Sequence, residues 1–138
     1  MTLLEALGKI KESGIKVTPQ RQEILRVLLE EGHYCSADEI LKKVQAHYPA
    51  VSLDTVYRNL SILTKLDLVV ELRFQAGPRL FEFNDVHHHH LVCLKCKESQ
   101  KLVYCPTDFL NRVQKENPEF AITGHSFEIY GYCPNCRK

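Results

Sequence analysis

The chain has 138 residues, with 18 Lys+Arg against 17 Asp+Glu and a formal charge of +1 at pH 7. At 44% hydrophobic and 25% charged, the composition is that of a soluble globular protein, and the charge balance excludes a strongly basic, sequence-blind nucleic-acid coat. No apolar run approaches the roughly 20 residues that span a bilayer, and Met1-Thr2-Leu3 opens no signal peptide, so a cytoplasmic protein with no membrane partner is expected.

The length suits one domain or two small ones. Leu3, Leu4, Leu7 and Ile10 repeat at helical spacing, with Gly14 as a stop. Thr18-Pro19 supplies an N-cap and a first-turn proline for a helix that buries Ile24, Leu25, Leu28 and Leu29. Ser36-Ala37-Asp38-Glu39 is a capping-box pattern ahead of Ile40, Leu41 and Val44, and that helix should end near Tyr48, before Pro49. Ser52 caps a further helix carrying Leu53, Val56, Leu60 and Leu63. The period then changes to two over 68–74 and 79–83, around a turn at 75–78. Helices followed by a hairpin give an N-terminal winged helix-turn-helix over 1–83; a helical bundle with an appended hairpin is the alternative.

Beyond residue 83 the composition shifts: residues 87–136 hold five of the six Cys and five of the seven His. Strands are expected at 91–93, 101–104 and 125–132 and a helix at 107–115, which makes 84–138 a small α/β domain and the whole chain α+β, with a linker near 83–86.

In the cytosol six Cys stay thiols, which points to metal or redox chemistry rather than disulfides. Cys93-Leu94-Lys95-Cys96 and Cys133-Pro134-Asn135-Cys136 are two CxxC pairs, able to place four thiolates around one tetrahedral zinc and leave no open position. A redox pair is the rival for either CxxC alone, and two pairs in one small domain favour the metal. Cys35 and Cys105 fall outside the pattern and read as small buried hydrophobes.

On a strand, alternate members of His87-His88-His89-His90 face opposite sides, so His87 and His89 serve one site and His88 and His90 another. Each pair needs further donors, for which Glu82, Asp108, His125 and His33 are available.

On the helix after Ser52, core residues claim one face and leave Thr55, Arg58 and Asn59 on another, with Tyr57 able to pack on a thymine methyl. Such a helix suits the major groove. Residues 1–83 carry 11 Lys+Arg and 11 Asp+Glu, so any positive DNA-facing surface must come from spatial segregation, with Lys16, Arg21, Arg58 and Arg73 as candidates.

Four ordered motifs (Val17-Thr18-Pro19-Gln20-Arg21, Thr55 to Leu60, His87 to Cys96, and Gly124 to Cys136) together resemble the ferric uptake regulator family over nearly the whole chain. The resemblance implies a winged-helix DNA-binding domain, a dimerisation domain, and a homodimer that represses from palindromic double-stranded operators when loaded with metal. It assigns Cys93, Cys96, Cys133 and Cys136 to structural zinc. It further assigns His33, Glu82, His88 and His90 to a sensing site for zinc or iron(II), with manganese(II) a further candidate, and His87, His89, Asp108 and His125 to another site. Tyr57 and Arg58 match recognition-helix positions, and Lys16 a position that reaches toward the minor groove.

Two departures stand out. Tyr34 occupies the place of the usual ligand beside His33, and His89 replaces an acidic residue of iron-sensing members. Tyr104-Cys105-Pro106 and the four-His run look most like the zinc uptake regulators, yet Glu82 stands where those add a cysteine near the His run. Iron at such a site would make peroxide sensing the alternative. From other classes, a zinc-storage or thiol redox protein remains. An enzyme acting on a small organic substrate is not expected, since no HExxH or HxE…PCxxC motif is present.

Overall fold

The computed structural model describes residues 1–75 and 77–137; Ala76, inside the expected 75–78 turn, and Lys138 lie outside the described residues. The chain divides into two compact units, Met1–Asp85 and Val86–Lys138.

In the first unit, local caps set the helices. Thr2 accepts a hydrogen bond from the Glu5 amide to open α1 (Leu3–Glu12). Thr18 does the same from Arg21 at the start of α2 (Pro19–Glu31), which stops at Gly32 with φ of 67°, a left-handed value that glycine adopts without steric cost. Ser36 caps α3 (Ala37–Val44) and Ser52 caps α4 (Leu53–Lys65). These side chains satisfy helix N–H groups that have no intrahelical partner.

A three-stranded antiparallel sheet completes the unit, in the order β1 (Cys35–Ser36), β3 (Leu80–Phe83), β2 (Val69–Leu72), with Phe81 opposite both Cys35 and Glu71. Phe81 seats the sheet on the helical core of Ile24, Leu25, Leu28, Ile40, Val44, Val56, Leu60 and Leu63. The result is the mixed helix and sheet architecture expected of a winged helix-turn-helix.

Two side chains depart from the expected pattern. Leu4 is 81% exposed, because it stands about 100° around α1 from Leu3 while Ala6, Leu7 and Ile10 cluster near it. Asn59, expected on the DNA face, is buried at 7% exposure. At about 100° per residue it lies only about 60° from Val56, on the flank of the core. There it accepts from Arg21 Nε at 2.9 Å and donates to the Thr55 carbonyl at 2.9 Å.

The second unit has a sheet of order β5-β4-β6: β4 (His89–Cys93) runs antiparallel to β5 (Ser99–Leu102) and parallel to β6 (Glu128–Gly131). The strand expected at 101–104 ends two residues earlier, and α5 (Thr107–Glu116) follows. No residue of α5 is buried, and Val103, Tyr104, Phe109, Phe120, Ile129 and Tyr132 are all exposed. So small a unit with so much apolar surface in water needs a metal or a partner to supply what its core does not. Among the described residues no helix is long and apolar enough to cross a membrane.

Candidate metal centres

The parallel pairing of β4 with β6 places Cys93 opposite Gly131, so both CxxC segments leave the sheet at the same end. The Cys93, Cys96, Cys133 and Cys136 sulfurs all lie within 4.8 Å of one another, with Cys96 and Cys133 Sγ 3.9 Å apart. Four thiolates about 2.3 Å from a tetrahedral zinc stand about 3.8 Å from each other, so separations of at most 4.8 Å fit the ion with small shifts of the side chains.

The electrostatics point the same way. The Cys133 amide donates to Cys93 Sγ at 3.4 Å and, with the Cys96 amide, lowers the Cys93 thiol to about 6. The contact with Cys133 and burial push Cys136 up to about 12. Backbone donors thus favour one thiolate, whereas four in this space call for a cation. Cys35 stands apart, buried on β1, its thiol raised to about 12 by desolvation.

A second cluster gathers where β4 begins. His87 Nε2 lies 3.2 Å from His89 Nε2 and 3.0 Å from His125 Nε2, and Cys105 Sγ is 3.3 Å from both His89 Nε2 and His125 Nε2. The expected grouping of His87, His89 and His125 is present. The fourth ligand-capable group is Cys105, expected as a small buried hydrophobe, while Asp108 sits exposed on the first turn of α5, outside the four. His89 is 2% exposed and stacks on Phe127 at 3.8 Å. Burial, then the neighbouring His87 and His125, lowers its pKa and favours the neutral ring that metals bind.

The other two histidines of the run turn to the opposite face, with the His88 and His90 ring centroids 4.8 Å apart and His90 buried. His88 Nδ1–H donates to the Val86 carbonyl at 2.6 Å, because a carbonyl can only accept. That bond makes Nε2 the lone-pair nitrogen, the arrangement ligating histidines use. His33 is set in the same way, its Nδ1–H donating to the Glu31 carbonyl at 2.7 Å. Glu82 is a buried carboxylate on β3, 4% exposed and six residues ahead of His88 in the chain. His33 and Glu82 belong to the first unit, His88 and His90 to the second. Tyr34, at the usual ligand position, packs edge-on against Phe74 at 5.2 Å.

Of the residues expected to face DNA, Lys16 and Arg58 are exposed, and Thr55 and Tyr57 are half-buried. Arg58 pairs with Asp54 across one helical turn at 2.5 Å. Tyr57 leans on the wing, with the Arg79 guanidinium 5.1 Å from its ring centre and the Phe81 ring at 6.3 Å.

Comparison with known proteins agrees with this architecture. The model of the ferric uptake regulator family matches residues 12–130. The chain is 32% identical over 136 residues to the Peroxide-responsive repressor PerR of Staphylococcus epidermidis, covering 99% of this chain and 91% of that protein. Its fold superimposes on the Helicobacter pylori ferric uptake regulator Fur, described as having three functional metal binding sites, with a TM-score of 0.82 at 26% identity, covering 100% of this chain and 95% of that one. The Campylobacter jejuni peroxide stress regulator follows at a TM-score of 0.73 and 28% identity, covering 99% and 100% of the two chains. The chain belongs to the ferric uptake regulator family.

Proposed function

We propose that the protein is a metal-responsive transcriptional repressor that binds palindromic operator DNA as a homodimer. The observation that carries this reading is the division of one four-histidine run, at and just before the start of β4, between two sides, giving two separate ligand sets beside the four-thiolate knuckle. A structural zinc on Cys93, Cys96, Cys133 and Cys136 would stabilise the fold of the second unit. His88 and His90, together with Glu82 and His33, would hold the sensed divalent ion. An ion bound by these donors would favour the DNA-binding state over the free one by its higher affinity for it.

The exposed apolar residues of the second unit support self-association, and a two-fold dimer would set two α4 helices at the spacing of two half-sites. Lys16, Thr55, Tyr57 and Arg58 are the proposed DNA contacts. With no net charge over residues 1–83, affinity rests on placed contacts and dimer geometry.

The sensed metal has two readings. His and carboxylate donors without thiolate suit iron(II) and manganese(II) as well as zinc. The likeness of Tyr104-Cys105-Pro106 to zinc uptake regulators favours zinc; the peroxide-responsive staphylococcal relative and the carboxylate of Glu82 favour iron and an oxidant-sensitive repressor.

Gel-shift assays on palindromic DNA with and without added metal test the assignment. His88→Ala and His90→Ala are expected to fold, retain zinc in the thiolate site and lose metal-dependent binding. Either variant still shifting DNA only when metal is added would refute the sensing-site assignment.

A further inference from the structure

We propose that His87, His89, His125 and Cys105 form a tetrahedral His3Cys site for a borderline divalent ion, zinc or cobalt(II), in which the Cys105 thiolate takes the place of a carboxylate from Asp108. The site lies wholly within the second unit and does not depend on the sensing-site reading.

Three elements converge on it. His89 lies on β4 and His87 on the segment just ahead of it, on the side away from His88 and His90; His125 comes from the segment before β6; Cys105 comes from the turn between β5 and α5. A tetrahedral ion with Zn–N of about 2.0–2.1 Å and Zn–S of about 2.3 Å sets N···N near about 3.3 Å and N···S near about 3.6 Å. The four separations along the edges of this cluster run from 3.0 to 3.3 Å, so an ion at its centre needs shifts of only a few tenths of an ångström. Phe127 fixes the His89 ring from one side, and the Thr107 amide donates to the Cys105 carbonyl at 2.9 Å, holding the turn that presents the thiol.

Ligand chemistry then sets selectivity. Three imidazoles and one thiolate are softer than a His/carboxylate set and disfavour manganese(II). An ion here would also tie the β5–α5 turn to β4. Since no residue of α5 is buried, the helix would gain an anchor from that tether. The chain would thus carry two thiolate-containing centres of different composition.

Cobalt(II) reads this directly, because only a thiolate ligand gives a near-ultraviolet sulfur-to-cobalt charge-transfer band. Full-length protein containing one zinc per chain in the four-thiolate site is titrated with cobalt(II), and zinc release is followed with a chromogenic chelator. Wild type is expected to develop the band, with the visible absorption of tetrahedral cobalt, without releasing zinc. Cys105→Ser and Cys105→Asp should both lose the band and weaken zinc binding at this site by at least about tenfold, the lower end of the loss when even an outer-shell partner is removed. Cys105→Asp keeps a donor and guards against collapse of the turn, and Asp108→Asn should behave as wild type. A band that persists in both Cys105 variants, or is absent from wild type, overturns the proposal. Loss of the site in Asp108→Asn overturns it too.

Discussion

Replacing Asn59 by Ala should weaken the fold first and DNA binding only in consequence. The Asn59 side chain accepts from Arg21 Nε and donates to the Thr55 carbonyl, each at 2.9 Å, while Arg21 also donates to the Lys16 carbonyl. One arginine thus joins the segment ahead of α2 to α4. A hydrogen bond to a charged group contributes about 1.5–3 kcal/mol. Arg21 is only half-buried and can be rehydrated, which puts Asn59→Ala near the lower end, at about 1.5 kcal/mol. Urea denaturation of the zinc-loaded chain, followed by helical circular dichroism, measures this loss. A double-mutant cycle with Arg21→Ala should return a coupling of about 1 kcal/mol, within the range for residues sharing one hydrogen-bond network. If Asn59→Ala left stability within 0.5 kcal/mol of wild type while abolishing operator binding, Asn59 would be reading bases and the placement argued here would be refuted.

Other outcomes follow from the same structure. Cys96→Ser should lower bound zinc by one ion per chain and reduce dimer content and melting temperature, read by metal analysis and calorimetry; an unaltered melting curve would count against a structural ion. The Arg26 side chain and His47 hydrogen-bond to Glu23 and hold its carboxyl below the usual carboxylate range, Arg26 being the stronger cause. A depressed folded-state pKa adds stability above the ordinary carboxylate value of about 4.3 and loses it as pH falls through the lower folded value. Acid unfolding should therefore show the gap between wild type and Glu23→Gln shrinking below about pH 4; a gap constant with pH would contradict it. Arg79→Ala removes a cation–π contact worth about 0.5–1 kcal/mol from Tyr57, so operator affinity measured by anisotropy should fall about two- to fivefold with no change in zinc content.

Local signals were legible in the sequence where the physics is local. Thr2 aside, the caps read from the chain at Thr18, Ser36 and Ser52 all accept their expected amides, because capping involves residues three apart. Each CxxC pair was readable because its two thiols lie three residues apart and the motif occurs twice; the meeting of the two pairs, 37 residues apart at Cys96 and Cys133, comes only with the parallel pairing of β4 and β6. The expected split of the His run is present, His87 near His89 and His88 near His90, although only His89 and His90 lie on the strand itself. Asn59 was misplaced because the three-and-four spacing links it to Thr55, yet nothing local shows Arg21 reaching it from 38 residues away. Cys105 was missed because its partners lie 16 and 20 residues distant, where only the folded β5–α5 turn unites them. Its signal was compositional: a thiol directly before a helix, within a segment already rich in ligands.

Metal binding is expected to control DNA binding, and a single titration decides it. Operator affinity of the protein, measured by fluorescence anisotropy, is followed against buffered free zinc, iron(II) and manganese(II), with the four-thiolate zinc retained throughout. Affinity should rise at least tenfold as one further ion per chain binds, with one of these metals effective at the lowest free concentration, and should return to its starting value on chelation. Equal affinity with and without the sensed ion, under conditions where that ion is shown to bind, would contradict the account.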